Sequence, residues 1–392
     1  MLYAFEGISR PIVLPRGRVV EVLSAVLHDW GFTPLDGVGS GDPLIRLTES
    51  KGRYRLESPW QEGPPRDRNA VNAVCAFLVD LVHAFVADNP SLLCLHCAAA
   101  DIGGRLVIIP ATYRSGKSTL MASLAAAGTR VHADDVLPIK SPSDRAVAPG
   151  IALRLRLPLG LEASPALRRF VAAHRGPASR SFQYLNLDPS LLARHGDEAP
   201  IGAFVTLKRR ADAHTVLVPL SKSEMLGKVI FRNFAHDVSA SEILNRLYAL
   251  VAQAPCFKLI YSDADRARDL LRDVFRSWPE PSREDATGIA PLVTVPPPTR
   301  DARAGHLART PGVRKKEVGD VLFLVDPNDQ SIHQLSTMGT ALWRLLVRPC
   351  SFEDAVEVLH KAFPKVERTR FGEDVRALIA GLEKRGVLFT AS

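Results

Sequence analysis

Residues 105–140, RLVIIPATYRSGKSTLMASLAAAGTRVHADDVLPIK, decide the fold of this 392-residue chain. The segment opens with an apolar run at 107–109, which predicts a short buried strand, and residues 119–127 form an apolar, alanine-rich helix pattern. Between the two lies A-x-x-x-x-G-K-S at 111–118. A strand, a loop ending in Gly-Lys-Ser and a helix are the context that a phosphate-binding loop requires. The segment therefore predicts an α/β or α+β body with a phosphate loop.

The loop residues share the binding of a nucleotide's phosphates. Backbone N–H groups and the positive end of the following helix dipole hold the β-phosphate. Lys117 neutralises the β- and γ-oxygens, and the Ser118 hydroxyl supplies a ligand to Mg²⁺. The residues predicted to bind nucleotide are Ala111, Thr112, Tyr113, Arg114, Ser115, Gly116, Lys117, Ser118 and Thr119.

The loop departs from the usual pattern at three positions. Ala111 stands where a glycine is usual, which is tolerable unless that backbone needs a positive φ. Tyr113 and Arg114 occupy positions where smaller residues are common. Arg114 either adds a phosphate contact or faces solvent, and the sequence leaves both interpretations open.

A pair of acids follows the phosphate loop. A second strand is predicted over 129–133, and it ends in Asp134-Asp135. At a strand end beside a phosphate loop, one carboxylate can hold Mg²⁺ with the loop hydroxyl, and the other can accept a proton from the attacking hydroxyl. An isolated Asp-Asp pair would instead be interpreted as a solvated turn. The neighbouring loop favours the chemical interpretation.

Together these motifs resemble the HPr kinase/phosphorylase family and its HPr-kinase-related relatives. The order is a histidine and small residues, a hairpin, a strand, the Gly-Lys-Ser loop, a helix ending in glycine, and Ala-Asp-Asp. The matching residues are His96, Ala98, Ala99, Ala100, Gly103, Gly104, residues 106–109, Gly116, Lys117, Ser118, Gly128, Ala133, Asp134 and Asp135. Residues 254–275 resemble the strand–helix end of such domains.

The resemblance implies a nucleotide core like that of phosphoenolpyruvate carboxykinase, and ATP-dependent, Mg²⁺-dependent phosphorylation of a serine hydroxyl in a protein. By position in the family, Asp134 is the base, while Asp135 and Ser118 hold Mg²⁺. Neighbouring strand residues point to opposite faces, so the two Asp roles could be exchanged. His96 lies near the phosphates by the same analogy, or it is a hydrogen-bonded, half-buried histidine. The predicted catalytic set is Asp134, Lys117 and His96.

The segment after the acid pair departs from the bifunctional enzymes of this family. Residues 149–158, PGIALRLRLP, contain no acid at the place of a further metal ligand, which disfavours phosphorylase activity more than kinase activity. Arg154 and Arg156 alternate onto one face. They either bind phosphate or an acidic substrate, or they belong to a solvated edge strand.

The last 80 residues form a separate pattern. Strands are predicted at 321–326 and 331–336, and helices at 337–346, 351–362 and 370–384, with Ser351 as an N-cap and a wing strand at 387–389. A set of apolar residues and glycines spaced along this segment resembles the pattern of PqqD-like peptide chaperones, which are winged-helix domains. It comprises Leu335, Met338, Ala341, Leu342, Trp343, Gly381, Leu382, Gly386 and Leu388.

The PqqD-like resemblance implies a precursor peptide as partner, whose leader segment adds as a strand beside the third helix. The rival interpretation is a DNA-binding winged helix. Residues 370–385 mix acids and bases, whereas a groove-reading helix is usually more basic, so nucleic acid is disfavoured. Trp343 and Leu342 are expected in the core.

Composition places the chain in the cytoplasm. The net charge of +8 permits an anionic partner without requiring one. Five cysteines are too few and odd in number for a disulfide framework, and Cys94 and Cys97 are expected to be packed thiols. The start of the chain shows no signal-peptide pattern. The most apolar window, 70–87, is interrupted by Asn72, Asp80 and His83, so it predicts a core helix and no membrane contact.

These observations predict an organisation and a function. Residues 1–90 are the N-terminal part of the kinase body, 91–278 the nucleotide-binding core, 279–312 a proline-rich linker and 313–392 the PqqD-like domain. The leading hypothesis is an ATP-dependent kinase of a Ser/Thr hydroxyl in a ribosomally made precursor peptide. The alternatives are a kinase of a small metabolite or carrier protein, and an inactive peptide scaffold or winged-helix regulator. The oligomeric state, including a homo-oligomer, is left open.

Overall fold

The computed structural model describes residues 1–35, 42–61, 63–110, 115–140, 143, 145–160, 163–233, 238–278, 292–296, 303–364 and 367–391. The chain divides into two compact units. The first comprises Met1–Ser221, Phe231–Asp237 and Gln253–Asp285. The second comprises Lys222–Ile230, Val238–Ala252 and Ala286–Ser392.

The amino-terminal part of the first unit is a sheet with two helices. Its elements are β1 (Leu2–Phe5), β2 (Ile12–Val13), α1 (Arg18–Val26), β3 (Phe32–Pro34), β4 (Ile45–Ser50), β5 (Arg53–Glu57) and α2 (Ala70–Asp88). The strand order is β3-β1-β2-β4-β5. Strands β4 and β5 form a hairpin: Lys51 and Gly52 at its turn both have positive φ, and Ser50 pairs with Arg53 across it.

Helix α2 is the predicted core helix. Asn69 caps its start by accepting a hydrogen bond from the backbone N–H of Asn72. The helix is long and apolar enough to cross a membrane, but 61% of its most apolar window is buried within the protein. Phe77, Leu81 and Ala84 are fully buried in the amino-terminal core.

The rest of the first unit contains the main sheet and the described part of the phosphate loop. Its elements are β6 (Leu92–Leu95), β7 (Cys97–Ile102), β8 (Arg105–Pro110), α3 (Lys117–Ala126), β9 (Arg130–Ala133), β10 (Leu137–Lys140), β11 (Arg145–Val147), β12 (Arg154–Arg156), α4 (Pro165–Ala173), β13 (Arg175–Ala178), β14 (Phe182–Leu185), β15 (Glu198–Arg209), β16 (Val216–Pro219), β17 (Cys256–Tyr261) and α7 (Ala264–Val274).

The main sheet places the ends of three parallel strands together. Its order is β6-β10-β11-β15-β8-β7-β9, and β17 branches from β15. The predicted hairpin β7–β8 is confirmed, with positive φ at Gly103 and Gly104. β15 runs parallel to both β8 and β17. Their carboxyl ends therefore lie at one edge of the sheet, where α/β proteins bind ligands.

The second unit contains the carboxy-terminal pattern. Its elements are α5 (Lys222–Ile230), α6 (Ala240–Gln253), β18 (Val293–Thr294), β19 (Leu307–Arg309), β20 (Arg314–Val318), β21 (Val321–Val325), β22 (Ile332–Gln334), α8 (Thr337–Leu345), α9 (Phe352–Ala362), α10 (Arg368–Lys384) and β23 (Leu388–Thr390). The predicted order of strands and helices is confirmed. Ser351 caps α9, and Trp343 and Leu342 are buried in the core as expected.

Two features of the second unit differ from the organisation expected from sequence. Strands β18 and β19 fall inside 279–312, which proline content predicted as linker, because Val295 and Leu307 join the core of this unit. Helices α5 and α6 fall inside 91–278, yet they belong to the second unit.

Helix α6 contacts strand β20 of the sheet β18-β20-β21-β22. Lys316, only 1% exposed, donates a hydrogen bond from Nζ to Oδ1 of Asn245 at 3.1 Å and lies 4.5 Å from the ring centroid of Tyr248. A hydrogen bond also joins the start of α6 to the loop between β21 and β22, because the backbone N–H of Ser241 donates to Oδ1 of Asp329 at 2.7 Å. These contacts make α6 part of the carboxy-terminal module.

Candidate active site

The described part of the phosphate loop begins at Ser115, and Ala111, Thr112, Tyr113 and Arg114 lie outside the described residues. Gly116 caps helix α3 with φ of 83°, a left-handed conformation that favours glycine. A Cβ at this position would lie 2.5 Å from the Tyr261 hydroxyl. That hydroxyl donates a hydrogen bond to the Ser115 carbonyl at 2.6 Å. Tyr261 thus holds the loop where the helix begins.

Lys117 joins the phosphate loop to the acid pair. It is the first residue of α3, and its Nζ donates a hydrogen bond to the backbone carbonyl of Asp134. The same Nζ lies 3.7 Å from Oδ1 of Asp135. The loop lysine and the two acids, which the sequence predicted as neighbours, are in contact.

Asp135 is surrounded by cationic groups. Its Oδ1 accepts a hydrogen bond from Nε2 of His96 at 2.7 Å, and its Oδ2 lies 3.3 Å from Nη2 of Arg154. Burial opposes ionisation, but the hydrogen bond from His96 and the charges of Lys117, His96 and Arg154 outweigh it and hold the pKa of Asp135 below its usual range. Asp135 is therefore an ionised carboxylate, and His96 orients it.

Asp134 has the opposite environment. Burial raises the pKa of this carboxyl above its ordinary value, although Lys117, a hydrogen bond with Ser118 and the charge of Arg154 act against the rise. Oδ2 accepts the backbone N–H of Arg154 at 3.4 Å. Oδ1 is buried and, among the described residues, accepts no hydrogen bond. The two adjacent acids thus have pKa values shifted in opposite directions.

Arg154 is a component of this site, although its strand β12 is an edge strand of the sheet β12-β14-β13. It lies on β12, directly opposite Tyr184 of β14. Its guanidinium contacts Asp135 and the Cys75 sulfur, and its Cζ lies 5.0 Å from the ring centroid of Phe182. The guanidinium therefore pairs with the carboxylate of Asp135, and its binding of a phosphate or an acidic substrate stays a prediction.

A cleft of about 490 Å³ opens beside the loop, a volume typical of small-molecule sites. Ser115 to Thr119 form one wall, and Arg154, Arg156 and Arg209 contribute positive charge. Leu159 and Phe182 give the cleft an apolar portion. The arrangement suits a polyphosphate with an apolar ring attached. Arg209, at the carboxyl end of β15, was missed by the sequence analysis, as was Tyr261, because neither belongs to a local motif.

Two candidate magnesium ligands, Ser118 and Asp135, lie at this site. Within the described ranges, no three His, Cys, Asp or Glu side chains form a cluster able to hold a metal. Mg²⁺ needs less from the protein, because it takes one or two carboxylates together with phosphate oxygens and water. Ser118 and the ionised Asp135 line the same small cavity. Ser118 and Asp135 are therefore suited to be the protein ligands of a Mg²⁺ ion whose other ligands are phosphate oxygens and water.

Cys94 and Cys97 are packed thiols, as predicted. Both are buried, and burial raises the pKa of the Cys94 thiol to about 12. Burial likewise raises the pKa of Cys97. Neither thiol is reactive at neutral pH.

Comparison with known protein families gives a match within the second unit. Residues 322–388 match the family model described as Coenzyme PQQ synthesis protein D (PqqD). The chain therefore carries a PqqD-like domain at its carboxy terminus, a class of domain that recognises peptides, and the predicted resemblance is confirmed. No curated protein matches the chain.

A solved structure similar to this chain is the "Structure of the Hpr(Ser) kinase/phosphatase from Coxiella burnetii". The identity is 12% and the TM-score is 0.24, over 46% of this chain and 94% of that one. This is the class that the phosphate-loop motifs resemble. A TM-score of 0.24 is too low to show that the two folds are the same. The function of the first unit is therefore inferred from the residues of its own site.

Proposed function

We propose that the first unit is an ATP-dependent kinase that phosphorylates a Ser or Thr hydroxyl of a ribosomally synthesised precursor peptide, which the PqqD-like domain binds. The observation that carries the proposal is the meeting of the phosphate loop with the acid pair, through Lys117, at the edge of a cationic cleft. A nucleotide core like that of phosphoenolpyruvate carboxykinase and a winged-helix arrangement of the carboxy-terminal domain are parts of this proposal.

The two acids would have different tasks. Asp134 would be the base, because a carboxyl with a raised pKa is the better proton acceptor near neutral pH. Asp135 with Ser118 would hold Mg²⁺, which would neutralise charge on the phosphates. Lys117 would bind the β- and γ-phosphate oxygens, and His96 would keep Asp135 oriented. Opposed pKa shifts in neighbouring acids commonly mark such a division.

The peptide would bind at the free edge of the carboxy-terminal sheet. Among the described strands, β22 is the last in the order β18-β20-β21-β22. An extended leader segment would add to this sheet as a strand through main-chain hydrogen bonds. Holding the leader raises the local concentration of the acceptor to the order of millimolar, so direct contacts with the acceptor can be weak.

A cytoplasmic location is part of the proposal. All five cysteines are free thiols, as expected of a protein from a reducing compartment.

The test is phosphate transfer from γ-labelled ATP to synthetic precursor peptides encoded beside the gene. Lys117→Ala or Asp134→Asn should lower transfer by about 10²–10⁴-fold, because each removes a group that acts on the transferred phosphate or proton. Leader binding, followed by fluorescence anisotropy, should not change in either variant.

Matched controls come from surface residues of the same types. Lys361 and Asp212 are exposed and lie outside the cleft, so Lys361→Ala and Asp212→Asn should label peptide as the natural chain does. Equal labelling by Lys117→Ala and Lys361→Ala would show that the protein is not this kinase. Calorimetric titration with ATP and Mg²⁺ separates a kinase of another acceptor, which binds nucleotide, from a scaffold, which does not.

A further inference from the structure

A short piece of chain is hydrogen-bonded to the backbone of the candidate active site. Residues 231–233, called here the connecting segment, directly follow helix α5. The backbone N–H of His96 donates a hydrogen bond to the carbonyl of Arg232 at 2.7 Å, and Leu95 forms an antiparallel bridge with Asn233. Among the described strands, β6 is the last at its end of the main sheet. The connecting segment therefore pairs with β6 at the point where this strand reaches His96.

The bond to the connecting segment matters because His96 orients an acid of the site. Its Nε2 is 2.7 Å from Oδ1 of Asp135. The side chain of His96 is 35% exposed, so packing encloses the ring only in part. A hydrogen bond to the backbone of His96 therefore helps to fix the ring and, through it, the carboxylate proposed to hold Mg²⁺.

The connecting segment lies in the chain between two helices of the second unit. Helices α5 and α6 belong to that unit, whereas the connecting segment belongs to the first. Ile230 is the last residue of α5 and precedes Arg232 by two positions, a span of at most about 7 Å. So short a connection has no slack. A shift at the end of α5 therefore reaches the hydrogen bond between Arg232 and His96.

Both helices contact the same face of the carboxy-terminal sheet. Phe323 of β21 pairs with Lys316 of β20 on one side and with Gln334 of β22 on the other. Residues paired in this way lie on one face of a sheet. Helix α6 contacts Lys316, and Gly227 of α5 lies against Gln334, because a Cβ at Gly227 would be only 2.9 Å from Cδ of Gln334. The strand proposed to receive the leader is thus in contact with α5.

We propose that the connecting segment is a positioning element for His96, and that a leader peptide bound at β22 strengthens the binding of Mg²⁺ and ATP through it. The inference rests on the proposed kinase function and adds its regulation. A strand added to β22 restricts the motion of β22 and of α5, which lies against Gln334. The ordered end of α5 holds the connecting segment on β6, which fixes His96 and Asp135. The nucleotide then binds to a site that is already ordered and loses less entropy.

The test adds the leader as a separate molecule, so that tethering of the acceptor has no effect. The probes are ATP with Mg²⁺ and the synthetic leader of the precursor peptide encoded beside the gene. Calorimetry measures the dissociation constant of each with and without a saturating amount of the other. We expect each ligand to tighten the other by the same factor, at least about fivefold, whereas a merely structural role would leave both constants unchanged. Hydrogen exchange at the His96 amide should slow when the leader binds.

Two variants interrupt the proposed route at β22. Gln334→Ala removes the side chain that lies against α5 and keeps the backbone of β22, so the leader should still bind while the coupling falls below about twofold. Gly227→Ala places a methyl group where the Gln334 side chain lies, without loss of helix propensity, and should lower the coupling as well. The matched control is Gln330→Ala, at an exposed position before β22, which should keep the full factor.

The outcomes separate the regulation from the function. An ATP dissociation constant that the leader does not change, or full coupling in both Gln334→Ala and Gly227→Ala, would overturn the inference. Labelling of the complete precursor peptide would then leave the kinase function standing, with the leader as a tether alone. Absence of ATP binding or of leader binding in the natural chain would overturn the proposed function and the inference together.

Discussion

At the scale of single residues, Gly116 and Tyr261 determine the shape of the described part of the phosphate loop. Gly116 adopts the left-handed conformation that starts helix α3, and there is no room for a side chain against the Tyr261 hydroxyl. Tyr261 also binds the Ser115 carbonyl, so the peptide unit between Ser115 and Gly116 has a defined orientation. Pre-orientation of loop amides lowers the entropic cost of binding phosphate.

Tyr261→Phe tests this arrangement by removing one hydrogen bond while keeping the ring. The loss of about 1 kcal/mol corresponds to nucleotide binding that is weaker by roughly fivefold, measured by calorimetry. Tyr54→Phe in the hairpin of β4 and β5 is the control and should leave the affinity unchanged. An unaltered dissociation constant for Tyr261→Phe would show that the loop keeps its shape without this bond.

His132 makes the stability of the protein depend on pH. Burial lowers the pKa of this histidine on β9 from its ordinary value of 6.5 to about 4. Above pH 6.5 the imidazole is neutral in both states and has no effect. As the pH falls from 6.5 to about 4, the unfolded chain binds a proton that the folded chain does not, so the free energy of unfolding decreases by up to about 3 kcal/mol.

The measurement is urea unfolding of the natural chain and of His132→Asn between pH 4 and 7. The variant should lose this part of the pH dependence, whatever its absolute stability. His214→Gln, at an exposed position, should keep the full dependence of the free energy of unfolding on pH. Parallel curves for the natural chain and His132→Asn would contradict the assignment.

At the scale of elements, helix α6 completes the carboxy-terminal module. Neighbouring residues on a strand point to opposite faces, so Lys316 and Lys315 of β20 have different surroundings. Lys316 is buried against Asn245 and Tyr248 of α6, whereas Lys315 is partly exposed and 3.8 Å from Glu317. The ammonium group of Lys316 lies 4.5 Å from the centroid of the Tyr248 ring. Burial lowers the pKa of Lys316.

Lys316→Ala should therefore destabilise the second unit, by roughly 2–4 kcal/mol, because it removes a buried stem, a cation–π contact and the donor for Asn245. Lys315→Ala, one residue away, should change the free energy of unfolding by less than about 0.5 kcal/mol. Hydrogen exchange of the α6 amides reports the effect directly. Equal exchange in the two variants would show that α6 does not depend on Lys316.

At the scale of the whole molecule, the chain crosses between the two units more than once. It enters the second unit at Lys222–Ile230, returns for Phe231–Asp237, and enters again at Val238–Ala252 before the strand β17. The carboxy-terminal module is thus built from segments on both sides of β17 and α7. Cutting the chain in the proline-rich stretch would not separate two intact domains.

Truncation after residue 285 tests this organisation. It removes Lys316 and Asp329, the partners of Asn245, Tyr248 and Ser241, and should leave α6 without its packing. We expect loss of hydrogen-exchange protection in residues 238–252 and a lower melting temperature than that of the full chain. If the truncated chain kept both the hydrogen-exchange protection of residues 238–252 and the melting temperature of the full chain, α6 would be stable without the carboxy-terminal module.

Local patterns were enough to predict much of the fold and the centre of the candidate site. The hairpin at Gly103-Gly104, the strand before the loop, helix α3 and the cap at Ser351 follow from turn residues and periodicity. Lys117, Asp134 and Asp135 were expected close together because, in a strand–loop–helix–strand unit, the end of the second strand lies beside the loop that follows the first strand. His96 was expected there through the family resemblance, and the β7–β8 hairpin brings the chain next to it, Cys97, opposite Pro110 at the start of the loop.

The sequence alone determined the strand–loop–helix that carries Lys117 and the PqqD-like pattern of residues 322–388, because each is encoded by neighbours along the chain. Only the tertiary structure decided that Tyr261 holds the loop, that Arg209 faces the cleft and that α6 belongs to the carboxy-terminal module. The physical reason is that these contacts join residues far apart in the chain: 146 positions separate Tyr261 from Ser115, and 71 separate Lys316 from Asn245. No local periodicity encodes contacts between such distant positions.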